Sequence, residues 1–443
     1  MRTLQRVDLD GLRARVRALA GRTRLPARGV AAAPAGRYRW AAYGSRVAGR
    51  AFLGEAPLAD RATAVPALGA RGPGLRTSVR ESLLRTAALL GARRPRSGPA
   101  RTSAALRALR ARHGDAPVLL RTRSGERVLV LLDPRDLCRF YAEPVTPRRR
   151  IDAEAPAAGV LAAVAGEARY LTASGTLDLD RAHHAVGRAS RRIVLGDAAA
   201  EDEELAAWLR RSRPDGPGPG LRKGSPYDLA GSRILEYAGR AGAGTLVARA
   251  DVQDPAGQAR QWLLAMESLP ATLLRTLLLL GAHPAEQDAA CAEASAGAAG
   301  SGELPRLRAC VRESLRLYPV VPELVRVTRA ETDWGGVRCP AGTTVLLPVA
   351  FHQRDPERVP AAHVFVPGRW KNPAADHDTR MAPFGHGGGR CPGDELGLLV
   401  TAAFCAEVLR SHRIGATRPV LDPVGPLPTA LDPNGIRLTL THR

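Results

Sequence analysis

The sequence is poor in lysine, methionine and aromatic side chains. Lysine occurs only at Lys223 and Lys371, methionine three times, and aromatic residues fill 4% of the 443 positions. No stretch approaches the ~18 consecutive apolar residues of a membrane-spanning helix. The longest stretch free of polar side chains, 157–166, is mostly alanine and glycine, so a soluble chain with no membrane partner is expected. The six cysteines, Cys138, Cys291, Cys310, Cys339, Cys391 and Cys405, form no CxxC pair and no Cys/His cluster of zinc spacing, which excludes a zinc-ribbon or finger reading. Scattered thiols without a secretory signal fit a reducing cytoplasm. Five of the six read as small buried hydrophobes; Cys391 does not.

Hydrophobic residues make up 45% of the chain, enough for a large core. The net charge of +22 is local: residues 1–150 hold 32 arginines against 10 acidic residues, and the remainder is neutral. Arginine dominance with abundant alanine and glycine reads as coding bias. No specific nucleic-acid partner is expected, although such a surface attracts polyanions without specificity.

Residues 1–75 show little sustained apolar periodicity and read as a disordered Arg/Ala-rich extension. A helical pattern runs from Arg80 to Arg112, broken near Pro95–Pro99, and 117–132 reads as a hairpin around Ser124-Gly125. Residues 151–250 are mostly helical, interrupted at Pro214–Gly220. One long helical run is expected over 258–283, and a second from Leu304 to Tyr318, stopped by Pro319. Short strands follow near Gly335-Gly336 and Thr343–Leu347, then an irregular stretch, a helix over about 393–412 and a strand-like tail at Ile436–Thr441.

The chemistry concentrates near the C-terminus. Met381-Ala-Pro-Phe-Gly-His-Gly-Gly-Gly-Arg-Cys-Pro-Gly393 puts a cysteine after a glycine-rich loop and before a helix, where backbone N–H groups favour a thiolate. A phosphate loop would place Lys and Ser/Thr after the glycines, and Arg390-Cys391 offers neither. Upstream, Glu313-Ser-Leu-Arg316 sets a carboxylate and a guanidinium on one helix face. Phe365-Val-Pro-Gly-Arg-Trp370 adds Arg369, able to complete a buried Glu–Arg–Arg triad.

In this order the motifs resemble the cytochrome P450 family, as do Leu317-Tyr-Pro319, Pro340-Ala-Gly-Thr343 and Arg354-Asp-Pro356. The strong resemblance covers 258–443. It implies a mainly α fold with a small β portion: one domain over 76–443, with a haem-binding core at 258–443. It implies heme b (iron protoporphyrin IX) with Cys391 as axial ligand. Phe384, His386, Gly387, Arg390 and Gly393 would lie around the cofactor, Arg326 on a propionate, and Glu313, Arg316 and Arg369 would hold the loop. On the long helix, Glu267 would relay protons and Ser268 would hydrogen-bond dioxygen. The implied reaction inserts one atom of O2 into a small organic substrate. Electrons would come from a ferredoxin- or flavodoxin-type donor, because the chain carries no flavin or iron–sulfur motif. A P450-type peroxygenase or peroxide isomerase is the first alternative, and a haem-binding protein without turnover the second.

Four departures stand out. Ser268 occupies a position where threonine is usual, and Pro270 should kink the helix nearby. Gly389 replaces the Arg or His expected two residues before the cysteine. The segment Pro134–Val160 is too short for the family's propionate-binding helix; His184 and Arg188 have its spacing, but in surroundings that resemble a later helix.

Overall fold

The computed structural model of the chain describes residues 98–121, 127–143, 157–211, 226–250, 254–296 and 303–443. The 1–75 extension, the helical pattern before residue 98, the hairpin tip and the Pro214–Gly220 loop lie outside those residues.

The first described unit is a helix, α1 (Gly98–His113), packed on a hairpin of β1 (Val118–Arg121) and β2 (Arg127–Val130). Then come α2 (Pro134–Ala142), α3 (Ala157–Thr172), the short β3 (Thr176–Leu177), α4 (Leu179–Leu195), α5 (Asp197–Ala200), α6 (Glu203–Arg211) and α7 (Pro226–Ala238). The run expected at 258–283 is two helices, α8 (Pro255–Met266) and α9 (Leu269–Ala282), followed by α10 (Pro284–Ser295) and α11 (Pro305–Leu317). Four short strands follow, β4 (Leu324–Val327), β5 (Thr332–Trp334), β6 (Val337–Cys339) and β7 (Thr344–Leu347), then α12 (Val349–Gln353) and a stretch of 3-10 turns. The chain closes with α13 (Asp394–Ser411), β8 (His412–Arg418) and β9 (Arg437–His442). Helix dominates, as expected.

Helix starts follow local chemistry. Asp133 caps α2 by accepting from the Arg135 N–H at 2.9 Å, Asp178 caps α4, and Asp254 caps α8 through Gly257. Pro134 and Pro255 occupy first-turn positions, where their missing N–H costs nothing. The centre of the molecule is a bundle of α3, α4, α9 and α13, with α9 against both α4 and α13 and α3 against both as well. Leu273, Leu274 and Leu277 to Leu280 of α9 are almost wholly buried, so this helix is buried on most of its surface, with Arg275 bonded to the Leu431 carbonyl. Gly281 at its end meets β8 so closely that a Cβ there would stand 2.6 Å from Ile414 Cγ2. By length and composition Pro255–Ala282 is apolar enough to cross a membrane, but 61% of its apolar window is buried inside this fold.

The larger sheet has the order β1-β2-β7-β4, with β2 parallel to β7 and the other pairs antiparallel. In that register Arg326 of β4 stands opposite Val345 of β7. The second sheet is β3-β9-β8.

Candidate active site

Glu313 and Arg316, three apart on α11, are both wholly buried. The Arg316 Nε and Nη2 donate to the two Glu313 oxygens at 2.9 and 2.8 Å. Its remaining N–H groups reach the carbonyls of Gln353 (2.8 Å), Ala362 (2.9 Å) and Val364 (3.1 Å). Arg369 Nε donates to Glu313 at 3.1 Å, and its terminal nitrogens reach Pro360 and Ala361. The expected triad therefore forms. Two further donors complete it: the Trp370 indole N–H at 2.9 Å and the Val366 N–H at 3.0 Å. Trp370 stands in the motif already noted, but nothing in its spacing announces a bond to Glu313. Ala361, held in this web, adopts the left-handed region at φ 50°, a conformation that costs about 1 kcal/mol and needs its surroundings to fix it.

The loop so anchored leads to Cys391. The Cys391 N–H donates to the Phe384 carbonyl at 2.8 Å, closing the glycine turn. Gly393 directly precedes α13, whose first turn carries Asp394 and Glu395. Phe384 packs against the main core and lines a small cavity with Arg312, Trp370 and Arg390. Arg390 pairs through Nε with the buried Asp394. His386 Nδ1 accepts from the Gly387 N–H at 3.0 Å, and its Nε2 is buried without a hydrogen-bond partner among the described residues.

The thiols separate cleanly. Cys291, Cys310, Cys339 and Cys405 are buried, and burial pushes each above its ordinary pKa. Cys391 is only half-buried. Cys138 corrects the expectation of five buried cysteines: it is exposed on α2, with Sγ 3.7 Å from Thr379 Oγ1. An amphipathic nine-residue helix buries one face, and Leu137, Phe140 and Tyr141 take it.

Glu267 and Ser268 occupy the break between α8 and α9, three and two residues before Pro270. Proline supplies no N–H to the Met266 carbonyl and its ring crowds that oxygen, so the disturbance falls upstream of the proline. Ser268 Oγ donates to the Ala265 carbonyl at 2.9 Å. His183 Nδ1 of α4 stands 4.0 Å from Glu267 Oε2. This neighbour, from a helix over eighty residues earlier, had no signal in the sequence. Leu269 lies 3.7 Å from the position of a Cβ on Gly397, so the break and the Cys391 end of α13 adjoin.

Arg326 turns from β4 onto the last turn of α2. Its Nη1 bonds the carbonyls of Phe140 and Glu143, and the guanidinium lies over the Phe140 ring at 4.2 Å. His184 and Arg188 do not approach the cysteine loop: the His184 ring meets Tyr170, and Arg188 bonds Glu167 and Glu201. The segment expected to be shortened, Pro134–Val160, is described only over α2 with Glu143 and the start of α3, and residues 144–156 lie outside the described residues.

The cytochrome P450 family model matches residues 265–429. Among curated relatives, cyclooctat-9-en-7-ol 5-monooxygenase of Streptomyces melanosporofaciens is 36% identical over 187 residues, 38% of this chain and 40% of that protein. The mouse mitochondrial 25-hydroxyvitamin D-1 alpha hydroxylase is 33% identical over 38% of this chain and 35% of that protein. Cytochrome P450 4c3 of Drosophila melanogaster is 30% identical over 40% and 36%. The chain thus spans two fifths or less of the length of these relatives. The matched segment holds the helix break, the Glu313 network and the cysteine loop in one order, and over residues 265–429 the chain matches the cytochrome P450 family.

Proposed function

We propose that this chain is a haem-thiolate monooxygenase in which the Cys391 thiolate would hold the haem iron. The family's cofactor is heme b, and the residues here suit it. Cys391 is the half-buried thiol at a helix start, where the helix dipole favours the thiolate. His386 keeps a buried donor without a partner among the described residues, and Arg326 engages only one of its terminal nitrogens. When bound, the cofactor supplies oxygen activation by a thiolate-ligated iron. One oxygen atom enters a small organic substrate and the other leaves as water, with two electrons and two protons consumed. The electrons come from a separate ferredoxin- or flavodoxin-type protein.

The protein's own part is to hold the sulfur and move protons. Glu313, Arg316 and Arg369 fix the segment leading to the loop. Phe384 and Gly387 shape the turn, while Arg390, through Asp394, and Gly393 tie it to α13. Glu267 carries protons toward the site, with His183 as its neighbour on α4. Ser268, whose O–H bonds the Ala265 carbonyl, relays a proton by turning that O–H toward the site and donating it as the oxygen accepts another from the Glu267 side. We place the protein in the cytoplasm, because cysteines scattered without a CxxC pair fit a reducing compartment.

The single observation that carries this reading is the position of Cys391, half-buried at the start of α13, the helix whose first turns adjoin Leu269 just after the Glu267–Ser268 break. Turnover assays with O2 and reductant, run beside assays with peroxide alone, test it. Product formed from O2 with matching electron consumption is expected; product from peroxide only contradicts it.

A further inference from the structure

Three hydrogen-bond donors, from α2, β4 and the cysteine loop, gather around Tyr141, and no described carboxylate hydrogen-bonds any of them, although Glu143 acts on Arg326 through space. The first is Tyr141, in the last turn of α2. Its side chain is buried and its ring lies 5.9 Å from that of His386. Its hydroxyl makes no hydrogen bond to any described residue, and burial holds the phenol above its ordinary pKa, hence protonated. The second is His386. Its Nδ1 accepts from a backbone N–H, so the neutral ring carries its proton on Nε2, the buried atom without a partner. The third is Arg326, whose Nε and Nη2 have no hydrogen bond among the described residues and which pairs with no carboxylate there. Arg326 and Tyr141 feel each other electrostatically.

The loop is pressed onto this corner. Gly387 adopts φ 58°, and a Cβ on it would stand 2.5 Å from the Tyr141 carbonyl oxygen, so only glycine allows this approach. Of the three, His386 Nε2 is a fully buried donor without an acceptor among the described residues, a costly arrangement that a native fold retains where a ligand supplies the acceptor. Two neutral donors and one cation suit a compact group with several acceptor oxygens, which is a carboxylate. Sequence reading gave Arg326 and His386 as separate candidates and missed Tyr141, because the contact joins residues far apart in the chain.

We infer that Tyr141 Oη, His386 Nε2 and the open side of Arg326 form one anchor for a haem propionate, with Tyr141 as a cofactor-binding residue. The inference rests on the proposed function. The anchor takes over where Gly389 supplies no side chain.

The test compares release of two porphyrins from the full-length holoprotein to excess apomyoglobin: haem, and haem with both propionates methylated. Tyr141→Phe deletes one hydroxyl and keeps the ring packing. It should release haem about 10-fold faster than wild type, the scale of one hydrogen bond to a charged group. It should leave release of the dimethyl ester unchanged. His386→Phe should behave alike, and His386→Gln, which restores an N–H donor, should return toward wild type. Equal acceleration of both porphyrins, or of neither, overturns the inference, and so does a Tyr141-dependent site for inorganic phosphate without any effect on haem release. A wild-type chain that takes up no haem overturns the proposed function along with it, whereas normal uptake with Tyr141-independent release overturns the anchor alone.

Discussion

Two arginines ten residues apart live under opposite rules. Arg316 is wholly buried and each of its five N–H groups has a partner: two on Glu313 and three on backbone carbonyls. Arg326 is partly buried, bonds two carbonyls through one nitrogen and leaves the rest of its fork open. Desolvation lowers its pKa, and the through-space pull of Glu143 and Tyr141 offsets that only in part. A cation with every donor satisfied cements structure; one held by half its donors keeps the others for a ligand. The same contrast separates Glu313, which accepts five hydrogen bonds, from His386 with its unpartnered Nε2. One region is a closed brace and the other an open receptor.

The largest effect should come from breaking the brace. Arg316→Ala strips Glu313 of its nearest cation and leaves three carbonyls short of donors, at a cost of roughly 3–5 kcal/mol. Urea unfolding measures it, and a loss under about 1 kcal/mol would erase the distinction between the two regions.

Acid should next weaken the side of the brace that includes α12. His352 lies beside Gln353, whose carbonyl holds Arg316, and its ring bonds the Leu131 carbonyl at 3.1 Å. Burial lowers its pKa from 6.5 to about 4, chiefly by desolvation. The folded state therefore holds the neutral ring while the unfolded chain takes up a proton below about 6.5. Stability is full above that pH and is lost as pH falls toward 4, by up to about 3 kcal/mol. His352→Phe should flatten this part of the stability–pH curve, and an unchanged slope would mean that other groups set it.

Opening the receptor should cost less in folding and more in cofactor. Arg326→Ala should raise the rate of haem loss by about 10- to 150-fold, the range for hydrogen bonds to a charged partner at about 1.5–3 kcal/mol. Equal retention by wild type and variant would show that the propionates are held elsewhere.

Ser268→Ala should disturb least, because among the described residues Oγ donates to a single group, the Ala265 carbonyl in the last turn of α8. Stability should change by about 0.5–1.5 kcal/mol. Coupling should suffer, with reductant still consumed and peroxide replacing part of the product. Unchanged coupling would favour the peroxide-using alternative.

Much of the brace was legible in the sequence because its signals are local or rigidly spaced. Glu313 and Arg316 share a helix face, Arg369 sits in a short motif, and Pro319 ends the helix on schedule. Arg354, part of a family phrase, proves to hold the distant carbonyls of Leu427 and Pro428, contacts that no spacing encodes. The helix break was expected near Pro270, but its location at Glu267–Ser268 depends on which carbonyl the proline leaves unbonded. Most of the receptor was not legible. Tyr141 meets His386, and His183 meets Glu267, across separations that only the assembled bundle closes.

The central claim is that Cys391 is the sulfur ligand of the haem, and one spectrum tests it most directly. Reduced protein under carbon monoxide should show the strongly red-shifted Soret band of thiolate ligation, because sulfur donates charge to the iron. In Cys391→His that band should vanish while some haem remains bound. A red-shifted band that persists in the His variant would contradict the assignment of Cys391.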